Sequence, residues 1–315
     1  MKKLILFGAG RRGVKIAQML DKHGISIAFF CDSVKKGKVF WGGNPQKVND
    51  IISIEDIDEE KYTVIITIAD YGQASIVKEK LNRRKIDITT VDQLLISREN
   101  KLLQEREAIA EYHLDKMEDY YWDAEDKESM AAFWNNNSIF KNLFKKLNPE
   151  RIVELACGRG RHVSQYISDA RVVVLVDILE KNINYCKERF YNNSKINYYV
   201  NNGFDLKELE SETYTALFTY DAMVHFELLD IYQYLKETYR ILMDGGRALF
   251  HHSNNTEDYK TTFFTGKNGR NYMSKEIFAY LAWRAGFTVL EQHEIDWGGV
   301  DKLDCLTLVE KAKYN

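Results

Sequence analysis

The fold is decided by residues 151–161, which read Arg-Ile-Val-Glu-Leu-Ala-Cys-Gly-Arg-Gly-Arg. This apolar run, which carries the carboxylate of Glu154, predicts a buried strand that turns at Gly158 and Gly160 into a helix. Glycine has no Cβ, so a ligand can approach the main chain of such a turn closely. The pattern therefore predicts a ligand site at the carboxyl end of this strand.

An acidic residue ends the next predicted strand. Asp177 lies seventeen residues beyond Gly160 and directly follows the apolar residues 172–176. We expect its two oxygens to accept hydrogen bonds from both hydroxyls of a ribose. A lone Gly-x-Gly is found in many tight turns, but strand, turn, helix, strand and terminal aspartate together indicate a nucleoside site.

Strands and helices alternate through the rest of this half of the chain, from Asn148-Pro149 onward. Seven strands are predicted, the last two as an antiparallel pair, at residues 151–155, 172–176, 197–200, 215–219, 247–252, 288–293 and 305–310. Helices are predicted at residues 161–167, 181–190, 229–242 and 275–285. This alternation is typical of an α/β fold with a doubly wound sheet.

A second alternating unit occupies residues 1–97, and 315 residues are enough for two domains. Between the two units, residues 98–130 contain no Gly or Pro and eleven acidic against five basic side chains. Apolar residues recur there at helical spacing, so we expect a charged connecting helix with one buried stripe. The domains are thus predicted as residues 1–97, a linker at 98–130, and residues 131–315.

Composition excludes several classes of protein. The formal charge is −3, so no global field attracts nucleic acid or an anionic membrane. The apolar start is cut short by Gly8, and no run approaches the length of a membrane span, so a cytoplasmic location is expected. The four scattered cysteines include no Cys-x-x-Cys pair and are expected to be buried free thiols.

The second unit resembles the class I S-adenosylmethionine-dependent methyltransferases over roughly residues 130–311. The resemblance lies in Glu154, the Gly-x-Gly turn, the aspartate after the second strand, the strand number and the closing antiparallel pair. It implies methyl transfer from S-adenosylmethionine to a small-molecule acceptor. The family usually has proline where this chain has Asp244, a departure that affects a turn and leaves the site intact.

The resemblance also implies roles for individual residues. The methionine part of the cofactor would lie against Gly158 and Gly160, with Glu154 near its amino group and Asp177 at the ribose. The segment implied to contact adenine is Asn202, Gly203, Phe204 and Asp205, and the loop implied to join cofactor and acceptor begins at Tyr220 and Asp221.

Candidate bases lie at two strand ends. His225 follows the fourth strand, while His251 and His252 end the fifth, and only one of these two neighbours can face the pocket. We expect His225 first and His251 second as general base, with Asp221 orienting a base or contacting the methionine amine. Each of these residues also has a purely structural interpretation, Asp221 as a helix cap. The spacing of His and acidic residues predicts no metal site.

Acceptor-binding residues are sought in the polar segment 253–274, which is long enough for a lid. Tyr272 is expected to offer a pocket hydroxyl. Trp297, before the glycine pair that joins the last two strands, is expected to form an aromatic wall.

The first unit has its own glycine-rich turn, at Gly8, Gly10 and Gly13, with Asp32 nineteen residues further on. Taken alone this pattern indicates a dinucleotide site. The unit is about half the size of a full dinucleotide fold. It resembles the small Rossmann-like domain found before some enzymes of bacterial surface polysaccharide pathways, which implies a nucleotide or nucleotide-sugar site and a role in carbohydrate biosynthesis. A domain that binds no ligand is the alternative.

These observations favour a methyltransferase that acts on a hydroxyl of a sugar or nucleotide-activated sugar. An NAD(P)-dependent oxidoreductase and a non-catalytic nucleotide sensor are the rival hypotheses. The Tyr-x-x-x-Lys pairs expected of the former occur only about as often as chance allows in so tyrosine-rich a chain. The sequence leaves the identity of the acceptor and the oligomeric state open, with a homo-oligomer allowed.

Overall fold

The computed structural model describes residues 2–22, 24–42, 46–91, 94, 102–117, 121 and 127–312. The chain divides into two compact units, residues 1–116 and 117–315. Each unit is built on one sheet flanked by helices, which confirms the predicted α/β class.

The first unit has a six-stranded sheet in the order β3-β4-β2-β1-β5-β6. Its strands are parallel except for the antiparallel pair β3 and β4. Its elements are β1 (Lys3–Phe7), α1 (Arg11–Lys22), β2 (Ile27–Cys31), β3 (Gly37–Trp41), β4 (Lys47–Ile52), β5 (Tyr62–Ile66), α2 (Tyr71–Arg83), β6 (Asp87–Ile88) and α3 (Leu102–Lys116).

Strands β3 and β4 were not predicted. They form an edge hairpin in which most side chains are exposed or half-buried, so they carry no long apolar run. Helix α3 falls within the predicted linker but belongs to the first unit. Its Glu111 forms an ion pair with Lys22 of α1 at 2.6 Å. Much of the remaining linker, including residues 95–101 and 122–126, lies outside the described residues.

The second unit has a seven-stranded sheet in the order β12-β13-β11-β10-β7-β8-β9, with β13 antiparallel to both of its neighbours. Seven strands and an antiparallel last strand confirm the prediction. Its elements are α4 (Lys127–Trp134), α5 (Ile139–Phe144), β7 (Arg151–Leu155), β8 (Val172–Asp177), α6 (Glu180–Arg189), β9 (Ile196–Val200), β10 (Tyr214–Thr219), α7 (Leu228–Ile241), β11 (Leu242–Ser253), α8 (Lys275–Ala285), β12 (Phe287–Trp297) and β13 (Val300–Lys311).

Two apolar layers cover this sheet. One contains residues of α4, α5 and α6, and the other contains residues of α7 and α8. The helix predicted over residues 161–167 is wrong, because only a short 3-10 turn forms, Val163–Gln165. His162, Val163 and Tyr166 are all buried, so this segment is held flat against the core instead of forming an amphipathic helix.

None of the helices that the structure describes is long and apolar enough to span a membrane. All four cysteines are buried free thiols, as expected.

Candidate cofactor site and active site

The carboxyl ends of β7, β8, β10 and β11 meet at one edge of the second sheet, because these strands are mutually parallel and adjacent. Ligands of open α/β sheets bind outside this edge. Asp177 and His251 lie at the ends of two of these strands, and the loop beginning at Tyr220 follows a third. The sheet therefore brings the predicted site residues of the second unit to one edge.

The glycine turn after β7 requires glycine for two different reasons. Gly158 (φ +54°) and Gly160 (φ +70°) both have left-handed backbone conformations, which residues other than glycine adopt only at a cost in free energy. A Cβ on Gly160 would lie 2.7 Å from the Phe190 ring, so this glycine also permits close packing on α6. A Cβ on Gly158 would lie 3.1 Å from the ring of Tyr121.

Asp177 joins the glycine turn to the end of β8. Its Oδ2 accepts a hydrogen bond from the Gly158 amide (2.9 Å), and its Oδ1 accepts from the Leu179 amide (2.9 Å) and from Asn182 Nδ2 (3.1 Å). A carboxylate has about four acceptor positions, so about one remains. The expectation that Asp177 binds the ribose stays a prediction, and these hydrogen bonds leave room for about one further donor. Burial raises the pKa of Asp177 to about 6.

Glu154 lies beneath the same turn and is almost fully buried. Its Oε2 accepts a 2.6 Å hydrogen bond from the Tyr166 hydroxyl. Burial raises the pKa of Glu154 to about 7, although this hydrogen bond and the charges of Arg161 and Arg189 oppose the shift. Two buried carboxylates with raised pKa values thus lie beside one glycine turn, an arrangement that a bound cation would stabilise.

The segment after β9 folds back on itself. Asn202 Oδ1 accepts hydrogen bonds from the amides of Phe204 (3.0 Å) and Asp205 (2.9 Å), and Asn202 Nδ2 donates to Asp205 Oδ2 (3.0 Å). Gly203 has a left-handed conformation (φ +72°). Phe204 and Asp205 are half-buried. Their role toward adenine stays a prediction.

Four charged side chains form a cluster where β10, β11 and β13 meet. Asp221 lies 3.6 Å from Arg161 and 3.5 Å from Arg270, and Arg270 makes a two-pronged ion pair with Asp304 at 3.0 and 2.6 Å. Arg270 and Asp304 are buried. The cluster holds two positive and two negative side chains, so its formal charge is balanced.

His251 lies against this cluster and is fully buried. Its Nδ1 accepts from the Asp221 amide (3.0 Å), and its Nε2 lies 3.0 Å from Asp304 Oδ2. Because both ring nitrogens are hydrogen-bonded inside the protein, the expectation that His251 serves as a general base is corrected. His252 points to the other face of the sheet, where it stacks on Phe278 at 3.8 Å, and burial lowers its pKa to about 3.

His225 lies in a 3-10 turn after β10 and is half-buried. Its Nδ1 lies 2.8 Å from the carbonyl oxygen of Gly269. A carbonyl can only accept, so Nδ1 carries the proton and Nε2 is the basic nitrogen. Asn271 Nδ2 donates to the carbonyl oxygen of His225 over 2.7 Å and fixes the turn. In this tautomer Nε2 is the ring nitrogen that can accept a proton.

Aromatic rings line the same region. The ring of Tyr220 lies 4.7 Å from His251, 5.3 Å from Phe133 and 6.1 Å from Trp297. Trp297 therefore lies near the strand ends, and the guanidinium of Arg270 lies over its ring at 5.2 Å; its role as an aromatic wall for the acceptor stays a prediction. Tyr272 is half-buried, and its amide donates to the carbonyl oxygen of Thr261; its role as a pocket hydroxyl stays a prediction.

Several side chains of the segment 253–274 are buried, although its composition predicts an exposed polar loop. Phe263, Phe264, Arg270, Asn271 and Met273 are buried. It packs on the His225 turn through Gly269 and Asn271, so much of it belongs to the wall of the site.

The glycine turn of the first unit repeats the arrangement of the second. Asp32 Oδ2 accepts from the Ala9 amide at 2.8 Å, and Oδ1 accepts from the amides of Val34 and Lys35. These hydrogen bonds hold the pKa of Asp32 below its usual range, although its partial burial opposes them. Asp32 thus ties the turn to the end of β2 and has about one acceptor position left.

The three glycines of that turn differ in what surrounds them. A Cβ on Gly13 would lie 1.9 Å from the carbonyl oxygen of Gly8, and one on Gly8 would lie 2.6 Å from Thr67 Oγ1. Those two glycines are needed for packing. A Cβ on Gly10 would meet nothing nearer than Lys35 Nζ at 4.0 Å, so internal packing does not explain glycine there.

Sequence reasoning missed four residues of the second site: Arg161, Arg270, Asn271 and Asp304. Arg161 directly follows the glycine turn, and this position was a usable signal. The pairing of Arg270 with Asp304 joins residues 34 apart and depends on the register of an antiparallel strand, so the linear pattern contains no sign of it.

Comparison with known proteins adds one decisive observation: residues 152–246 match the family model described as a methyltransferase domain. The second unit carries a methyltransferase domain. The cofactor that this match supports is S-adenosylmethionine. The match covers the glycine turn, Asp177 and the His225 turn. No curated protein matches the chain.

Solved structures with a similar fold include an S-adenosylmethionine-dependent methyltransferase from Mesorhizobium loti (16% identity, 54% of this chain and 96% of that one, TM-score 0.46). A protein from Pyrococcus horikoshii is 20% identical over 60% of this chain and 93% of its own, with a TM-score of 0.47. The geranyl diphosphate C-methyltransferase of Streptomyces coelicolor, solved with Mg²⁺, geranyl diphosphate and S-adenosylhomocysteine, is 15% identical over 55% of this chain and 79% of its own, with a TM-score of 0.46.

The methyltransferase domain has a donor set that fits this cofactor. The sulfonium and ammonium groups of S-adenosylmethionine are cations. Glu154 and Asp177 are buried carboxylates beside the glycine turn, so they would suit such a ligand. Among the residues that the structure describes, no group of three or more His, Cys, Asp or Glu side chains could hold a metal ion.

Proposed function

We propose that the chain transfers the methyl group of S-adenosylmethionine to a hydroxyl of a sugar or nucleotide-activated sugar. The observation that carries the proposal is the tautomer of His225, whose Nδ1 is held by the Gly269 carbonyl oxygen at 2.8 Å. An aliphatic hydroxyl is a weak nucleophile while protonated, so transfer to oxygen benefits from a positioned base. Transfer to a thioether or a carbanion would need no such histidine.

The charged residues of the site are assigned to the cofactor. Glu154 and Asp221 would hold the methionine ammonium, and Arg161, which follows the glycine turn and pairs with Asp221 at 3.6 Å, would face the methionine carboxylate. Asp177 would accept one hydrogen bond from the ribose. Asn202, Gly203, Phe204 and Asp205 would enclose the adenine.

In the reaction, the bound cofactor supplies a methyl group already activated by the sulfonium. The protein aligns the acceptor oxygen with that methyl group, and His225 Nε2 takes the hydroxyl proton as the new carbon–oxygen bond forms. Tyr220, Phe133 and Trp297 supply aromatic walls that exclude water. The products are a methyl ether and a thioether, and the proton remains on His225.

The first unit is proposed to bind a nucleotide or nucleotide-sugar through its own glycine turn. A Cβ added to Gly10 would meet no nearby protein atom, so the space beside this glycine could be taken by a phosphate. Gly8 and Gly13 shape the turn around it. Asp32 retains about one acceptor position for a ribose hydroxyl. Carbohydrate biosynthesis is the proposed setting.

The test is a mass-spectrometric methylation assay of the full chain with S-adenosylmethionine and a panel of nucleotide sugars. The proposal expects one panel member to gain one methyl group, with loss of product in His225→Asn and normal product in His293→Asn, a half-buried histidine on β12. Methyl transfer to an amine, a thiol or a carbon acceptor, with none to the sugars, would contradict it.

A further inference from the structure

The His251 imidazole has its tautomer fixed by its two partners. The Asp221 amide can only donate, so Nδ1 is the acceptor at 3.0 Å. The ring proton then lies on Nε2, which faces Asp304 Oδ2 at 3.0 Å. The carboxylate of Asp304 therefore holds His251 in the one neutral form that can accept from Asp221.

Asp304 is itself held rigidly. It is fully buried on β13, beside Ser253 of the antiparallel neighbour β11. Arg270 donates to both of its oxygens, at 3.0 and 2.6 Å, and uses Nη1 to reach the carbonyl oxygen of Asn268 at 2.8 Å. Two-pronged arginine–carboxylate pairs fix geometry as well as charge.

Asp221, at the other end of this chain of contacts, has a left-handed backbone conformation (φ +54°). For a residue with a Cβ this conformation is strained, and it persists only where the surroundings enforce it. The acceptor for its amide is His251 Nδ1. Its carboxylate is also set between two arginines, Arg161 and Arg270, at 3.6 and 3.5 Å.

We propose that Arg270, Asp304 and His251 are positioning residues that hold Asp221 in its strained conformation and so direct its carboxylate to the cofactor ammonium. This inference rests on the proposed function, in which Asp221 contacts the methionine part. The relay, meaning these three residues, is inferred to act on the cofactor through Asp221. Apolar side chains of similar size would fill the same space without burying ions, and they would leave the Asp221 amide without an acceptor.

The experiment is calorimetric titration of the full chain with S-adenosylmethionine. His251→Leu removes the acceptor for the Asp221 amide, and the affinity is expected to fall about 10- to 100-fold. His251→Asn offers a side-chain oxygen near the position of Nδ1, and it is expected to restore most of this loss. A merely structural histidine would not be rescued in this way. Asp301→Asn, at an exposed position of β13, is the control and should bind as the unaltered chain does.

A double-mutant cycle tests the route through Asp221. Asp221→Asn is expected to weaken binding, and adding His251→Leu to it should cost little more. Equal loss from His251→Leu with and without Asp221→Asn would overturn the relay, as would unchanged binding in Asp221→Asn. If His251→Leu does not fold, Asp304→Asn replaces it, with an expected loss of about 3- to 10-fold. Absence of binding by the unaltered chain would instead contradict the proposed function.

Discussion

The amide of Gly158 donates a 2.9 Å hydrogen bond to Asp177 Oδ2, so the glycine turn after β7 and the end of β8 form one structural unit. The same relation exists in the first unit, where Ala9 donates to Asp32 at 2.8 Å. In both units the strand-end aspartate first shapes the turn and then has about one acceptor position left for a ligand.

Asp177→Asn is expected to damage both the fold and the site. The new amide would turn a donor toward the Gly158 or Leu179 amide, leaving a buried donor unpaired, and the free energy of unfolding should fall by about 1–3 kcal/mol. Cofactor affinity should fall as well. Urea denaturation and calorimetric titration measure the two effects. Asp169→Asn, at an exposed position, is the control, and equal stability of the two variants would contradict the structural role.

Cofactor binding should release a proton through Glu154, whose pKa burial raises to about 7. A bound ammonium would favour the carboxylate and lower this pKa. The release is expected to approach one proton per cofactor near pH 6 and about half a proton near pH 7, and it should vanish well above pH 8. Titrations in buffers of different ionisation enthalpy measure it. Glu154→Gln should bind without this release; the same release in that variant would assign the proton elsewhere.

Glu154 should also make the stability of the free protein depend on pH. Its pKa in the folded state, about 7, exceeds the ordinary 4.5, so the folded protein keeps a proton that the unfolded chain loses. The free energy of unfolding is therefore expected to fall by about 3 kcal/mol as pH rises from about 4.5 to about 7, and this contribution is constant above that. Glu154→Gln should lack this part of the decline and keep the part due to Asp177, whose pKa burial raises to about 6. Parallel curves for the two proteins would contradict the buried, partly protonated state.

The glycines of the first unit should differ in their tolerance of alanine. Gly13→Ala would place a Cβ 1.9 Å from the carbonyl oxygen of Gly8 and is expected to destabilise the unit by several kcal/mol, of the order seen for overpacking. Gly10→Ala meets open space and should change the free energy of unfolding by less than about 1 kcal/mol. Thermal unfolding of the two variants tests this, and a strongly destabilised Gly10→Ala would show that packing explains that glycine too.

His225→Asn should reduce turnover by about 10²- to 10⁴-fold, the usual contribution of a general base, without altering cofactor affinity. Steady-state methylation and calorimetric titration separate the two quantities. If turnover is unchanged, His225 is not the base.

The sequence predicted those features that repeat along the chain or follow a strand. The glycine turn at Gly158 and Gly160, the strand that ends at Asp177, and the antiparallel last strand all lie where the pattern put them. It could not predict that Asp177 accepts hydrogen bonds from the Gly158 and Leu179 amides and from Asn182, because the positions of those donors follow from the local folding of the turn. It also could not show that His251 is enclosed, because its partner Asp304 lies on a strand 53 residues away.

Calorimetric titration of the full chain with S-adenosylmethionine tests the central claim most directly. We expect one molecule to bind per chain, and to bind far more weakly to Asp177→Ala. Tight binding of NAD with no heat from S-adenosylmethionine would contradict the assignment of the glycine turn at 158–160 to a methyl donor.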